Sequence, residues 1–247
     1  MGEVRINAKD MPYQALNKRI RTLVAGGEKD IVLDNVLGQR FIGDGIRGDD
    51  VTITINGVPG GDLAMFMSGP TIIVNGNADH APGNTMDNGR IVIHGSAGDA
   101  VGHSMRGGRM YVRDNIGYRG GIHMKQFQEK RPVIVVGGSA RAFLGEYMAG
   151  GLIIVLGLEG GAPVNERGVG SGIHGGEIIV RGSIDKAFLG GGADQKKLTK
   201  EQKEGIRPIL EDFVRTFTID PEPVFSAEYS RITPASKRPF ASKYTWE

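Results

Sequence analysis

A chain of 247 residues can bury a sizeable core, as one large domain or as two small ones. Its 30 Lys and Arg nearly balance its 28 Asp and Glu, and the basic residues are dispersed, which argues against a nucleic-acid-binding protein. The absence of cysteine excludes disulfides, Cys-ligated zinc or iron–sulfur clusters and a thiol nucleophile from this chain.

The N-terminal segment, residues 1–30, is predicted to form a helical cap. Leu16 and Ile20 lie at helical spacing within residues 11–25, Pro12 falls in the first turn, and two glycines follow as a stop signal. The segment has no apolar leader, and the longest apolar runs, PVIVVG and LIIVLG, are far shorter than the ~18 residues of a membrane span. We therefore expect a cytoplasmic protein without membrane contact.

From residue 31 onwards, short β-branched runs such as VTITING, TIIVNG and RIVIHG recur at a fixed interval. The runs end, in chain order, at Gly38, Gly57, Gly76, Gly95, Asp114, Gly137, Gly157 and Gly182. The first four steps all equal 19, and the later steps of 23, 20 and 25 indicate insertions. Glycine accounts for 40 residues, well above the usual share of about 7%, so one type of turn must be used many times.

A second marker runs at the same period. The ladder positions are Met67, Met86, Met105, Met124, Met148 and Ile173. Three residues before each of them stands a small residue, namely Ala64, Gly83, Gly102, Gly121, Gly145 and Gly170. Two markers in register over six units indicate a true structural repeat.

A unit of this length with a single strand is too short for a βαβ unit, but it fits one coil of a parallel β-helix. We predict an all-β fold: a single right-handed parallel β-helix over residues 31–193, with about 7–8 coils of 19–25 residues and helices at both termini. The methionines would form an interior ladder, and the small residues before them would form corners where a side chain would clash or where φ is positive.

The chain after the repeat is predicted to hold a helix and an arm. Thr199 followed by Gln202 is a capping-box signature, which places a helix within residues 194–218. The two terminal helices would cover the open ends of the stack. Residues 219–247 have no period and are predicted to be an extended arm.

Few residues suggest chemistry. Glu146 in GEYMAGG is equivalent to Asn84, His103, Ile122 and Ser171, so we predict that it points outward as a solvated or interface carboxylate, with Tyr147 beside it. GSGIHG, residues 170–175, matches G-x-G-x-x-G, but it precedes a strand where a dinucleotide fingerprint would follow one. The histidines do not line up, although His94 joins a polar row with Asn56, Asn75 and Arg113. We predict no catalytic, cofactor-binding or metal-binding residue.

The repeat, GEYMAGGLIIVLG and GNADHAPGNTMDNGRIVIHGSAGDAVGHSMRGG together resemble the GXGXG domain of the glutamate synthase large subunit, here as a free-standing archaeal-type subunit. The likeness extends from LNKRIRTLVAGG to the ending TPASKRPF. It implies a structural role in glutamate biosynthesis and ammonia assimilation, with a glutamine amidotransferase and an FMN-containing synthase as partner subunits. FMN and iron–sulfur clusters are then expected on those partners and no cofactor in this chain, and a homo-oligomer is also possible.

Two other interpretations remain open. The β-helical subunit of formylmethanofuran dehydrogenase and the corresponding subunit of N-methylglutamate synthase have a similar domain, although the GEYMAGG coil favours glutamate synthase. A stand-alone β-helical carbohydrate-active or carbohydrate-binding protein would instead need an acidic pair or an aromatic strip on one face.

Overall fold

The computed structural model describes residues 2–236. Its strands are β1 (Val4–Asn7), β2 (Asp30–Leu37), β3 (Thr52–Val58), β4 (Ser68–Asn75), β5 (Asn88–Ile93), β6 (Arg109–Val112), β7 (Val133–Val136), β8 (Ala149–Val155), β9 (Gly175–Arg181), β10 (Ala193–Lys197) and β11 (Tyr229–Pro234). Its helices are α1 (Tyr13–Ala25), α2 (Lys200–Phe217) and α3 (Glu222–Phe225), with a 3-10 turn at Lys186–Phe188. No helix in this part of the chain is long and apolar enough to cross a bilayer.

The strands β1 to β9 pair in chain order, each parallel to the next. Inward residues stack 19 apart where the repeat is regular, as in the row Ile53, Ile72, Ile91 and Met110. The predicted parallel β-helix is therefore confirmed, as a solenoid of about seven turns.

The predicted register is wrong at two marker residues, Gly38 and Gly137, which alters three of the predicted steps. Gly57 pairs with Val36 rather than with Gly38, because β2 contains an irregularity at Asn35, whose φ is 57°. Val112 pairs with Val136, so the step from β6 to β7 is one residue longer than the markers Asp114 and Gly137 indicated. Gly138 rather than Gly137 therefore lies opposite Asp114. The loop between these strands thus holds one residue more than expected.

The interior is a single apolar core. The ladder residues Met67, Met86, Met105, Met124, Met148 and Ile173 are fully buried in it. Leu16 and Ile20 of α1 join the same core, so α1 packs against the first coils as an N-terminal cover. Methionine side chains are unbranched and flexible, so they can fill the irregular gaps left between the side chains of neighbouring coils.

Helix α2 does not cover the end of the stack as predicted. Its buried residues Ile206, Leu210 and Phe213 pack on the outer face of β6 to β9, in a second apolar cluster. The outward residues of β7 and β8 are apolar, for example Val135 and Ile154, and both faces of these strands are buried. Strands buried on both faces lose the polar and apolar alternation of an exposed sheet, and α2 is the element that covers them.

The C-terminal end of the sheet is closed by β11 and β10 instead. β11 pairs antiparallel with β9, and β10 pairs antiparallel with β11. The extended arm predicted from residue 219 thus begins with α3 and β11, because Val224, Tyr229 and Ile232 supply apolar side chains that pack against the core clusters. Residues 237–247, including the KRPF of TPASKRPF, lie outside the described residues.

Asp212 fastens α2 to the solenoid. Its carboxylate accepts hydrogen bonds from Arg90 Nη1 at 3.0 Å and Tyr111 Oη at 2.9 Å, and it pairs with Arg215 at 2.9 Å within the helix. Burial would raise the pKa of Asp212, but the hydrogen bonds from Tyr111 and Arg215 and the charge of Arg90 together lower it. The same burial and hydrogen bond raise the pKa of Tyr111 to about 12. The charged carboxylate is thus the form that makes these contacts between α2 and the solenoid.

Substitution of a ladder methionine tests the interior register. We expect Met105→Asp to place an unpaired charge among apolar side chains and to lower the free energy of unfolding by several kcal/mol, about 3 or more. Met105→Leu keeps the volume and should cost less than about 1.5 kcal/mol. Chemical denaturation of both variants measures the difference, and equal midpoints for Met105→Asp and the parent would refute this register.

Removal of the Asp212 carboxylate should destabilise the protein strongly, and by an amount that depends on pH. We expect Asp212→Ala to cost roughly 1.5–3 kcal/mol, the range for hydrogen bonds to a charged group. The exposed pair of Glu211 with Arg207 provides the control, because Glu211→Ala should cost well under ~1 kcal/mol.

The sign of the pH effect follows from the lowered pKa. The stabilisation by Asp212 is complete above the unfolded pKa of about 3.9 and is lost as the pH falls through the lower pKa of the folded state. Denaturation midpoints measured at neutral pH and on acidification should therefore converge for the parent and Asp212→Ala in acid. A constant gap between them at every pH would contradict this account.

Candidate interaction surface at the corner turns

Each coil turns through three residues with positive φ, at alternate positions. In one coil these are Ala81 at 56°, Gly83 at 70° and Thr85 at 54°. The other triplets are Phe41/Gly43/Gly45, Asp62/Ala64/Phe66, Ala100/Gly102/Ser104, Arg119/Gly121/His123, Phe143/Gly145/Tyr147 and Gly168/Gly170/Gly172. The ladder methionine or its equivalent follows the third residue in the six coils from Met67 onwards. The triplet is thus the repeated turn that the excess of glycine requires.

Hydrogen bonds fix this alternation between coils. The outer residues of a triplet donate to the next coil, as Ala81 N does to Asp99 O at 2.8 Å and Thr85 N to His103 O at 2.8 Å. The middle residue donates backwards, as Gly83 N does to Leu63 O at 2.8 Å. The six corners with middle residues from Ala64 to Gly170 are therefore held from both sides, which maintains a backbone conformation that L-residues avoid.

The middle position is almost always glycine for a steric reason. A Cβ at Gly121 would overlap with the side chain of Ile153, and one at Gly145 would overlap with the side chain of Ile178. In each case the conflicting group is an inward side chain one coil further on, in β8 for Gly121 and in β9 for Gly145. The predicted corner glycines thus make room for the core, in addition to having positive φ values of 66° to 70°. Ala64 is the exception, and it is fully buried.

The outer positions carry large exposed side chains in spite of their strained backbone. Phe66 is 49% exposed and Tyr147 is 47% exposed. Positive φ is unfavourable for such residues, and glycine serves the equivalent position in the last coil, at Gly172. Tyr147 covers Gly172, where a Cβ would overlap with its ring, and the exposed part of the ring is open to another molecule.

Tyr147 and His123 belong to a continuous row of aromatic and polar side chains that crosses the coils. Tyr147 stacks on His123 with ring centroids 5.4 Å apart and an angle of 12°, and His123 contacts His103 edge-on at 6.1 Å. His103 Nδ1 lies 3.2 Å from Asn84 Oδ1, and Asn84 Nδ2 donates to Asp62 at 3.0 Å. Burial lowers the pKa of His103, and the charge of His123 lowers it further.

Glu146 lies beside this row and is not solvated. Its carboxylate accepts a hydrogen bond from Arg119 Nε at 2.9 Å, and its side chain is only 13% exposed. The guanidinium of Arg119 also lies 5.1 Å from the ring centroid of Phe143. Of the two predicted environments, a solvated or an interface carboxylate, the solvated one does not hold, because Arg119 of the preceding coil covers Glu146; the interface role stays a prediction. We call the surface made by Arg119, His123, Phe143, Glu146 and Tyr147 the corner face.

The other residues singled out in the sequence make contacts that serve the fold. Residues 170–175 contain the corner Gly170 and lead into β9, as the order of the motif and the strand indicated. Asn75 donates to Asn56 at 2.8 Å in the predicted polar row, whereas His94 packs edge-on against Phe217 of α2. Within residues 2–236 no group of three or more His, Asp and Glu is arranged to hold a metal ion.

Sequence reasoning found only the middle row of each triplet. The outer rows escaped it because their residue types vary and only the last coil has glycine at all three positions. The contact of His103 with His123 was also missed, since the two histidines are offset by one position relative to the ladder. A second glycine two residues after the first, as in Gly43 and Gly45 or Gly170 and Gly172, was the available signal.

The fold and its corners define a parallel β-solenoid that turns on alternate left-handed residues. The GXGXG motif family matches residues 28–234, and the chain belongs to this family.

One relative and one solved structure of similar fold match nearly the whole chain. An uncharacterized protein of Methanocaldococcus jannaschii is 58% identical, over 99% of this chain and 97% of that protein. A chain of the formyltransferase/hydrolase complex of Methylorubrum extorquens, solved in complex with methylofuran, has a TM-score of 0.65 at 19% identity and covers 96% of this chain and 97% of its own. At that identity the second likeness concerns the fold.

The corner sterics lead to opposite expectations for two nearby substitutions. Gly121→Ala adds a Cβ that overlaps with Ile153 at a φ of 69°, so it should lower the free energy of unfolding by roughly 1–3 kcal/mol. Ser104→Gly relieves an outer position with a φ of 53° and should be neutral or stabilising by up to about 1 kcal/mol. Thermal denaturation of the two variants compares them, and a stabilising Gly121→Ala would contradict the assignment of the middle position.

Proposed function

We propose that this chain is a non-catalytic scaffold subunit of a multi-subunit glutamate synthase, and that the corner face docks a partner subunit. The observation that carries the proposal is the presence of His123 and Tyr147 at exposed positions with left-handed backbone. A residue that is costly for folding and exposed to solvent fits a role in contact with another molecule.

The chemistry of the corner face suits a protein partner. Aromatic residues and arginine are the types most enriched at the centres of protein interfaces. Tyr147, His123 and Phe143 supply broad apolar rings, and the ion pair of Arg119 with Glu146 holds a guanidinium beside them. This surface would bury rings against the partner, with polar groups left at the rim.

The partners proposed are a glutamine amidotransferase subunit and an FMN-containing synthase subunit. The GEYMAGG coil supports this choice over other members of the family. The glutaminase chemistry of such a complex requires a cysteine nucleophile, and iron–sulfur clusters require cysteine ligands, which this chain lacks. FMN and the clusters would belong to the partners.

A second candidate is a scaffold in a formyltransferase or formylmethanofuran dehydrogenase complex. The solenoid of the formyltransferase/hydrolase complex supports it, because that fold matches this chain over almost its full length. The two candidates differ in the partner that would be recovered.

Purification of the tagged full chain from its native cells separates the candidates. We expect a stable complex that contains a flavin-binding iron–sulfur protein and, with two electrons from an added reductant, converts glutamine and 2-oxoglutarate to two glutamates, while the chain alone binds neither FMN nor glutamine. Recovery with formyltransferase subunits would replace the first candidate by the second. Recovery of the chain without any stoichiometric partner would refute both.

The docking role of the corner face has its own test. Tyr147→Ala combined with His123→Ala should weaken binding of the isolated partner by roughly tenfold or more, as expected for an aromatic anchor, and should leave the melting temperature near that of the parent. Leu37→Ala is the control, because Leu37 is 81% exposed and lies outside the corner face. Equal affinities for the double variant and the control would exclude this face as the docking surface.

A further inference from the structure

A hairpin inserted into the solenoid departs from the repeat. The pairing of Met110 with Ile134 makes a longer step along the chain than the regular step from Ile91 to Met110. The extra residues form a short hairpin in which Phe127 and Lys130 pair antiparallel, with Gln128 at a φ of 52°. The insertion lies on a corner between the ladder methionine Met124 and β7. We call residues 125–131 the insertion hairpin.

The base of the insertion hairpin is fixed to the solenoid. Lys130 Nζ bonds Asp87 Oδ2 at 2.7 Å, and Arg131 lies 3.7 Å from Glu177. The hydrogen bond from Lys130 is the main reason that the pKa of Asp87 is lowered. A Cβ at Gly150 would overlap with the backbone of Gln126, so the neighbouring coil packs closely against the start of the hairpin. The hairpin therefore presents its tip in a defined position.

The tip exposes a large apolar side chain. Phe127 is 70% exposed and belongs to neither apolar core cluster. Burying such a ring on folding would stabilise the protein, yet here it is directed away from the core. A pre-positioned aromatic residue at the tip of a fixed hairpin has the properties of an interface anchor.

Two cations without partners stand beside it. Arg106 and Lys125 occupy equivalent positions, one residue after successive ladder methionines, and both are exposed. Neither side chain forms an ion pair or a hydrogen bond within the described residues. With Phe127, Lys130 and Asp87, Arg106 lines a groove of about 410 Å³ under the hairpin. The charge of Lys130 is matched by Asp87, so Arg106 and Lys125 are the cations available to a ligand.

We propose that the insertion hairpin is a second docking site, for a partner protein whose surface has carboxylates around an apolar pocket that receives Phe127. This inference rests on the proposed function, since it supplies the scaffold with a surface different in chemistry from the corner face. The aromatic tip would provide the affinity, and Arg106 and Lys125 would select an acidic surface and speed association. A nucleic acid fits less well, because the basic residues of the adjoining groove, Arg90, Arg109 and Arg131, are already paired with Asp212 and Glu177.

The experiment uses the partner isolated from the native complex and the full chain. We expect Phe127→Ala to raise the Kd by roughly thirtyfold, the loss typical of a buried aromatic anchor. The pair Arg106→Glu and Lys125→Glu should raise it about tenfold or more at low salt and flatten its dependence on salt. Melting temperatures should stay unchanged for both, since none of these side chains contacts the core.

Matched controls make the result decisive. Leu37→Ala removes an exposed apolar side chain elsewhere, and Lys18→Glu with Arg19→Glu reverses two exposed charges on α1. If the hairpin variants bind the partner as tightly as these controls do, the inference is overturned. The proposed function would still hold in that case, provided that a stable complex is recovered and the corner-face double variant weakens it. A single-stranded oligonucleotide provides the test for a nucleic acid. If the parent binds it, and Arg106→Glu with Lys125→Glu abolishes that binding but leaves partner binding intact, the inference is overturned in favour of a nucleic acid. Failure to isolate any partner would overturn both.

Discussion

The structure depends on the steric fit between each corner and the strand of the next coil. The middle residue of the corner triplet lies where an inward side chain of that strand, such as Ile153 above Gly121, fills the space that a Cβ would occupy. The same residue donates a hydrogen bond to the preceding coil. Coils can therefore stack at a close and constant spacing only if this position stays small and left-handed.

This constraint separates the uses of the three rows. The middle row serves the core, and its residue type is set by the interior. The outer rows have the same backbone conformation, but their side chains point away from the core and their types are free to vary. That freedom allows Tyr147 and His123 to form a stacked aromatic surface, and it allows Arg119 to cover Glu146. A surface for a partner is thus built without any change to the coil.

The outward face of the parallel strands changes in character along the solenoid. Its outward side chains are polar at Thr54 and apolar at Val135 and Ile154, and α2 covers the apolar part. The contact of Asp212 with Arg90 and Tyr111 fixes the position of the helix on that face. The corner face and the insertion hairpin are left open to solvent, and these are the surfaces to which we assign partners.

Much of the fold could be predicted from the sequence because a fixed period repeats the same contacts in every coil. The period of 19, the Met105 ladder and the capping box at Thr199 are each encoded locally. The register errors at Gly38 and Gly137 arose where an irregular residue or an inserted loop broke the period. The position of α2 could not be predicted, since it depends on which strands are apolar on both faces and on a contact between Arg90 and Asp212, residues far apart in the sequence.

The candidate surface was only partly predictable, for a related reason. Tyr147 could be assigned to the exterior from its sister residues, and it is exposed. The pairing of Glu146 with Arg119 and the contact between His103 and His123 join different positions of neighbouring coils. A comparison of equivalent positions cannot reveal such diagonal contacts.

Hydrogen–deuterium exchange of the chain, alone and in its native complex, tests the central claim most directly. If this protein is a scaffold that docks partners through its corner turns and insertion hairpin, the backbone amides of residues 119–131 and 143–147 should become protected in the complex. The account would be contradicted if those amides exchanged equally in both states while protection appeared only at other surfaces, such as the free edge of β1.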